Sequence, residues 1–348
     1  MTDDLTAALT AALAAAPADG AHRWAAAPLA RLRDKGLAHD HIRLIGTGAL
    51  ARIPKQSQMD LPPAENLAYQ AACFRRAAPS GHTPKLFDLL PPSPHLPRGA
   101  LLVEAIEGRP ASLPADLPAI MRALARIHAL PLPAVRAPLL DTPDPLADLL
   151  AEIRTQAAHL PAAGLDPGVT ATIAAEIARL AATAARPDRP ARRLISFDAH
   201  PGNYLIRPDG SAVLVDLEKG RYSYPGLDLA HATLYSSTTW DLESSAILET
   251  ADIAAALAAW ADAYGPDAEA ARPWHGTLRR AMWLWSITWC AKWRVLSGAA
   301  RKPDTTGEDW STTASDAALV AHVRERVDHY LSPAIVSRNV LEFLALEG

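Results

Sequence analysis

Three side chains with oxygen ligands, Asp198, Asn203 and Asp216, fall within nineteen residues of the chain, in a stretch built to bring them together. Asp198 and Asn203 stand before the β-forming run Tyr204–Arg207, and Asp216 closes a second such run, Ser211–Val215. Pro208-Asp209-Gly210 supplies turn chemistry between the two runs, so the segment reads as a hairpin that returns Asp216 to the side of Asn203. A carboxylate placed to take or orient a hydroxyl proton, next to hard oxygen ligands for magnesium, is the set that phosphoryl transfer needs. The spacing Asp, four residues, Asn, hairpin, Asp has the order of a kinase catalytic loop and its metal-binding Asp.

The same residues carry a family resemblance. Ser196-Phe197-Asp198-Ala199-His200-Pro201-Gly202-Asn203 resembles the catalytic loop of the aminoglycoside phosphotransferase and choline kinase-like family. Val213–Glu218 is similar to its second motif, with Glu218 where protein kinases have Gly. Tyr224-Pro225-Gly226-Leu227-Asp228-Leu229-Ala230 resembles the following segment, whose Asp buttresses the catalytic loop from below. The resemblance runs over residues 42–235 and departs at Ser196, where the family usually has a structural His. It implies an α+β, two-lobed protein kinase-like fold. A small antiparallel-sheet lobe over residues 1–107 would bind nucleotide, and a mostly helical lobe over 108–348 would hold the catalytic loop and the substrate region.

Composition is that of a globular protein and carries no sign of nucleic-acid or membrane binding. Hydrophobic residues make up 49% and charged residues 21% of 348, a balance that can fill a sizeable core. The net charge of −4 offers no electrostatic footprint for nucleic acid or an anionic membrane. Cys73 and Cys290 stand far apart without metal-ligand spacing, which fits a reducing, cytoplasmic setting. Asp3 and Asp4 precede an Ala-rich run with no basic segment, unlike a secretory signal, and no apolar run reaches the roughly 20 residues of a membrane helix.

The positioning elements follow in chain order. A helix is expected over Leu5–Ala16 and a shorter one over Pro28–Lys35; His41–Ile45 and Ala49–Ile53 then flank Gly46-Thr47-Gly48 as a hairpin. That turn is a candidate phosphate loop or a plain hairpin turn. On the second strand Ala49-Leu50-Ala51-Arg52-Ile53-Pro54 resembles the family's V-L-R strand, which makes Arg52 the candidate phosphate contact and Lys55 the runner-up. Pro62–Ala78 reads as a helix with Glu65 in its first turn, either an ion-pair partner for Arg52 or an exposed acid favoured by the helix dipole. Pro84–Leu90 and Ala100–Ile106 read as strands, and the second resembles the family's hinge, where Glu104–Ile106 would meet adenine through their backbone.

Helical patterns occupy Leu117–Leu130, Pro145–Leu160, Val169–Thr183, Asp241–Tyr264, Pro273–Leu296 and Ser315–Leu331. His128 in the first of these reads as structural. Seven of nine tryptophans lie between Trp240 and Trp293, with Trp285, Trp289 and Trp293 one turn apart. Such a stripe is either core or an aromatic wall for a cationic substrate, toward which Asp241, Glu243 and Glu249 would contribute. The expectation is therefore transfer of the γ-phosphoryl group of ATP to a hydroxyl-bearing small molecule, with Asp198 catalytic, Asn203 and Asp216 on magnesium, and Arg52, Lys55, Glu65, Glu104 and Ile106 on the nucleotide. An inactive nucleotide-binding regulator of the same fold is the alternative, and a protein kinase is disfavoured because nothing after Asp216 resembles A-P-E.

Overall fold

Small side chains decide how the first sheet packs. The computed structural model describes residues 2–33, 36–298 and 316–347, so Lys35 and Ser315, at the edges of two expected helices, lie outside the described residues. Helix α1 (Thr2–Ala15) precedes strands β1 (Leu29–Arg31), β2 (His39–Leu44) and β3 (Ala49–Pro54). Along β2 and β3 successive side chains alternate between faces. Ile42, Leu44, Ala49 and Ala51 are buried in one cluster with Leu9 and Leu13 of α1, the two alanines leaving room for the leucines. The opposite face carries His39, His41 and Arg52.

The expected helix over Pro28–Lys35 is instead strand β1. Antiparallel pairing with β2, Leu29 opposite Leu44 and Arg31 opposite Ile42, overrides a local helical pattern too short to stand alone. Helix α2 (Pro63–Ala77) follows, then β4 (Leu86–Leu90) and β5 (Ala100–Glu104), giving a five-stranded antiparallel sheet in the order β1-β2-β3-β5-β4. The chain leaves this sheet through β6 (Arg109–Pro110), which pairs with a strand of the catalytic hairpin, Arg109 opposite Ile206. Gly108 permits that approach, because a Cβ there would sit 2.8 Å from the Ile206 carbonyl oxygen.

The larger lobe is helical: α3 (Leu117–His128), α4 (Pro145–Ala157), α5 (Pro167–Ala184), α6 (Pro225–Thr233), α7 (Tyr235–Thr238), α8 (Thr250–Tyr264), α9 (Ala268–Ala271), α10 (His275–Leu296), α11 (Ala317–Tyr330) and α12 (Pro333–Glu347). Between α5 and α6 the chain forms β7 (Arg193–Ile195), the hairpin β8 (Tyr204–Ile206) and β9 (Ala212–Leu214), and β10 (Arg221–Ser223), which pairs with β7. One expected boundary moves. Residues 241–249 do not join α8, because Asp241 Oδ1 accepts from the Glu243 and Ser244 amides and the Ser244 hydroxyl, and a capping box of Glu249 and Asp252 starts the helix at Thr250. Helix α6, expected only as a motif, and α12, not expected, are the longer elements the sequence pattern did not announce; the short β6, β10, α7 and α9 were not expected either. Among the described residues no helix is long and apolar enough to cross a membrane.

Replacing Gly108 with Ala forces a side chain against backbone at the crossing between the lobes. Chemical denaturation should show Gly108→Ala less stable by about 1–3 kcal/mol; an unchanged unfolding midpoint would mean that the crossing is loosely packed.

Candidate active site

The loop bearing Asp198 is held from beneath by one carboxylate. Asp228, fully buried near the start of α6, accepts from the Ser196 amide through Oδ2 at 2.8 Å and from the Phe197 amide through Oδ1 at 2.8 Å. Trp260 of α8 donates its indole N–H to His128 Nδ1 at 3.1 Å, and because indole nitrogen can only donate, His128 carries its proton on Nε2, 3.1 Å from Asp228 Oδ2. His128 is therefore structural. Phe197 has φ of +57°, a left-handed conformation that costs about 1–3 kcal/mol outside glycine. The two Asp228 hydrogen bonds and the packing of the Phe197 ring against Trp285, 5.1 Å between centroids, offset that strain. Ser196 also takes part: its hydroxyl donates to Asp228 Oδ1 at 3.3 Å and accepts from the Asp198 amide at 3.1 Å.

Asp198 faces a cation that sequence reasoning missed. Lys219 Nζ donates to Asp198 Oδ2 at 3.0 Å, with both side chains nearly buried, and His231 Nδ1 lies 3.9 Å from Oδ1. Burial alone would raise the Asp198 carboxyl, but the charge of Lys219 holds it below its ordinary value. Burial also keeps His231 neutral, with its pKa lowered to about 4. The signal for Lys219 was its place directly after Asp216-Leu217-Glu218, where the strand ends and the chain turns back toward β7.

Asp216 lies beside Asn203 as the hairpin reading expects: the Val215 amide donates to the Asn203 carbonyl at 2.9 Å, and the Asn203 amide group donates to the Asp198 carbonyl at 2.9 Å, leaving its side-chain oxygen for a ligand. From the smaller lobe, Arg52 donates to the Val215 carbonyl at 2.7 Å and to Asp216 Oδ1 at 2.8 Å. Although burial opposes it, the positive surroundings led by Arg52 hold the Asp216 carboxyl well below the usual range. Two further groups complete a cluster. His39 Nδ1, Asp216 and Glu218 bring ligand atoms within 4.8 Å of one another, and Glu218 Oε2 is buried without a hydrogen-bond partner. Burial, then the charge of Asp216, pushes the Glu218 carboxyl well above its usual value. An orphaned buried carboxylate oxygen beside a second carboxylate is what a divalent cation satisfies, so this donor set fits a hard metal ion.

The remaining candidates separate. The Lys55 side chain is buried with Nζ 3.9 Å from Asp40. Glu65 is exposed in the first turn of α2, and its expected partner Arg52 is bonded to Asp216 instead. Among the buried positions of that helix is Gln70, whose Oε1 lies 3.0 Å from His39 Nε2. The turn Gly46-Thr47-Gly48 lies four residues along β3 from Arg52, about 13 Å away, and Gly48 accepts from the Ala105 amide at 2.8 Å, so it borders the hinge rather than Asp216. By register, the start of β2 at His39 lies at the Arg52 end of β3. At the hinge, the Glu104 amide donates to Lys85 and the Glu104 side chain pairs with Arg207 at 3.3 Å, while Ile106 is buried and its backbone makes no backbone hydrogen bond among the described residues.

Most of the tryptophans are core. Trp260, Trp283 and Trp293 are no more than 3% exposed. Trp285 packs on the loop, with Phe197 on one side and Lys219 Nζ 5.4 Å from its ring centre, and Trp240 precedes Asp241, against which Gly202 packs so closely that a Cβ would meet the Asp241 Cβ at 2.6 Å.

Removing Asp228 leaves two buried amides and His128 without their acceptor. Asp228→Ala should lower unfolding free energy by about 3–5 kcal/mol in denaturant titration; a loss below about 1 kcal/mol would show that the loop is supported by other contacts.

Comparison with known proteins agrees with this geometry. Residues 30–274 match the model of the phosphotransferase enzyme family. A choline/ethanolamine kinase family protein from Mesorhizobium loti is 18% identical, with 99% of this chain and 100% of that chain covered at a TM-score of 0.60. An ethanolamine kinase from Plasmodium vivax is 12% identical, covering 89% and 84% at 0.58. A thermostable mutant of aminoglycoside phosphotransferase APH(4)-Ia is 16% identical, covering 89% and 94% at 0.55. No curated protein matches the sequence. The structural likenesses establish the two-lobed, protein kinase-like fold, and with the family model spanning well over half of its length the chain belongs to the phosphotransferase enzyme family.

Proposed function

We propose that the protein transfers the γ-phosphoryl group of ATP to a hydroxyl of a small molecule, with magnesium as the required ion. The observation that carries this reading is Asp198, an ionised, buried carboxylate held on a braced loop with Asn203 and Asp216 alongside. In the reaction the acceptor oxygen bonds to the γ-phosphorus, and the bond from that phosphorus to the β–γ bridging oxygen breaks with its electrons going to ADP. Asp198 accepts or orients the hydroxyl proton, which then passes to solvent. Asn203 and Asp216, with Glu218 available beside them, would hold magnesium, which when bound neutralises charge on the phosphates. Arg52 is the preferred phosphate contact over Lys55, since it reaches Asp216. The Ile106 backbone and the Glu104 carbonyl are the proposed adenine contacts.

The acceptor is proposed to be an amine-bearing alcohol bound between the catalytic loop and the helices around Trp240–Trp293. The indole of Trp285 on the loop and that of Trp240, next to Asp241, are of a kind that suits a cationic group, and structural neighbours named for choline and ethanolamine point to the same class.

Asp198→Asn should lower turnover by about 10²–10⁴-fold while ATP affinity stays within a few fold; near-normal turnover would remove Asp198 from this role. Asp216→Ala should weaken magnesium–ATP binding in calorimetry, and unchanged affinity would show that the metal is held elsewhere. With a panel of amino alcohols, aminoglycosides, sugars and nucleosides as acceptors, truncation of Trp240 or Trp285 should raise the acceptor KM, spare the KM for ATP and leave the protein folded. Activity confined to neutral sugars, or an acceptor KM indifferent to both truncations, would reject the amine.

A further inference from the structure

We infer that Lys219 is a catalytic residue whose ammonium binds the phosphoryl group in flight between ATP and the acceptor; this rests on the phosphotransferase reading above. The placement is fixed by backbone. Arg221 lies opposite Ile195 in the β10–β7 pair, and the Gly220 amide donates to the Leu217 carbonyl at 3.0 Å, so the chain turns tightly and sets Lys219 across from the loop that begins at Ser196. Gly220 has little room for a side chain, since a Cβ would lie 3.1 Å from Cys73 Sγ. Lys219 is 12% exposed and reaches Asp198 Oδ2 at 3.0 Å, with the Trp285 ring 5.4 Å from its Nζ.

An ion pair of this kind is a poor way to strengthen a base. The ammonium stabilises the carboxylate form of Asp198 and so weakens its pull on a proton. A buried pair is also weak evidence of a purely stabilising role, because desolvating two charges can outweigh their attraction. What the position does favour is contact with a second anion. The acceptor hydroxyl must lie about 3 Å from Asp198, and the γ-phosphorus about 3–3.5 Å from that hydroxyl oxygen. A cation already one hydrogen bond from Asp198 is then within reach of the three equatorial oxygens over which the transferring group spreads its charge. Lysine has three N–H donors, and among the described residues one hydrogen bond, to Asp198, is formed. Asp198 Oδ1 stays free of Lys219 and faces His231 at 3.9 Å, leaving the hydroxyl an acceptor of its own.

During transfer the balance is that of the reaction already written. The acceptor oxygen gains the phosphorus, ADP keeps the electrons of the broken bond, and the hydroxyl proton goes through Asp198 to solvent. Lys219 donates hydrogen bonds throughout and neither gains nor loses a proton.

The test needs no acceptor. Magnesium–ADP affinity is measured by calorimetry with and without aluminium fluoride, whose complex stands in for the transferring phosphoryl group. In the unaltered protein the fluoride should tighten binding about 10-fold or more. Lys219→Met should lose that gain while magnesium–ADP affinity without fluoride stays within about 3-fold, and Lys219→Arg should restore most of it. Lys219→Gln decides the question if thermal melting shows Lys219→Met to be unfolded. A folded Met or Gln variant that keeps the fluoride-dependent gain overturns the inference, as does an unaltered protein that binds magnesium–ADP with no gain at all. Failure of the unaltered protein to bind magnesium–ADP would instead reject the phosphotransferase reading, and the inference with it.

Discussion

The buried carboxylate of Asp228 is the constraint on which the site depends. It accepts from two consecutive loop amides, from the Ser196 hydroxyl and from His128, which in turn is fixed by Trp260. Helices α3, α6 and α8 thus converge on one anion, and that anion holds Phe197 in a left-handed conformation its side chain would not choose. The consequence at the surface is a loop whose Asp198 is directed by the helical core, with little freedom of its own. Pre-organisation of this kind lowers the entropy lost when reacting groups are brought into line. The departure at Ser196 leaves the brace intact, since the serine hydroxyl takes up a place in the same network.

A second layer concerns charge. Within a few ångströms of Asp198 and Asp216 the structure gathers Arg52 and Lys219 as donors, Glu218 as an acceptor, and His39 and His231 as neutral rings. Arg52 comes from the sheet and Asp216 from the hairpin, so their bond spans the lobes. Incoming phosphates would find cations already oriented, while an incoming divalent ion would compete with Arg52 for Asp216 and recruit the uncommitted Glu218. On the proposed function, binding of metal and nucleotide would therefore be an exchange of partners among groups that are desolvated beforehand.

Much of this was legible in the sequence where local chemistry and tertiary role coincide. The turn Pro208-Asp209-Gly210 announces the hairpin, and the hairpin alone brings Asp216 to Asn203. The motif around Asp228 identified the brace, and the hydrophobic spacing of Leu117–Leu130 located α3. What sequence could not reach was the pairing of residues brought together from distant segments. Nothing local told Leu29–Arg31 to pair with β2, and local pattern named a helix there. For Glu65 the sequence left open a pairing with Arg52 or an exposed acid, and helix phase decides it, turning Glu65 to solvent and placing Gln70 inward. Register moved the Gly46-Thr47-Gly48 turn to the hinge end, because β3 runs away from that turn toward Arg52. His39 and Lys219 acquired their roles only through burial against carboxylates from another part of the chain.

The crossing between the lobes is a β-ladder. Two residues after Glu107 the chain pairs with β8, Arg109 opposite Ile206, and β8 continues through the hairpin to Asp216 while Arg207 ties back to Glu104. The backbone that would grip a base and the hairpin that would grip a metal are consequently tied by a short stretch of chain, a two-residue ladder and the Arg207–Glu104 pair. Such a tie acts as a ruler. Its length, set by peptide geometry, fixes how far from the hinge a phosphorus atom must lie to meet Asp198, so a nucleotide would be selected by the reach of its phosphate chain as well as by the shape of its base.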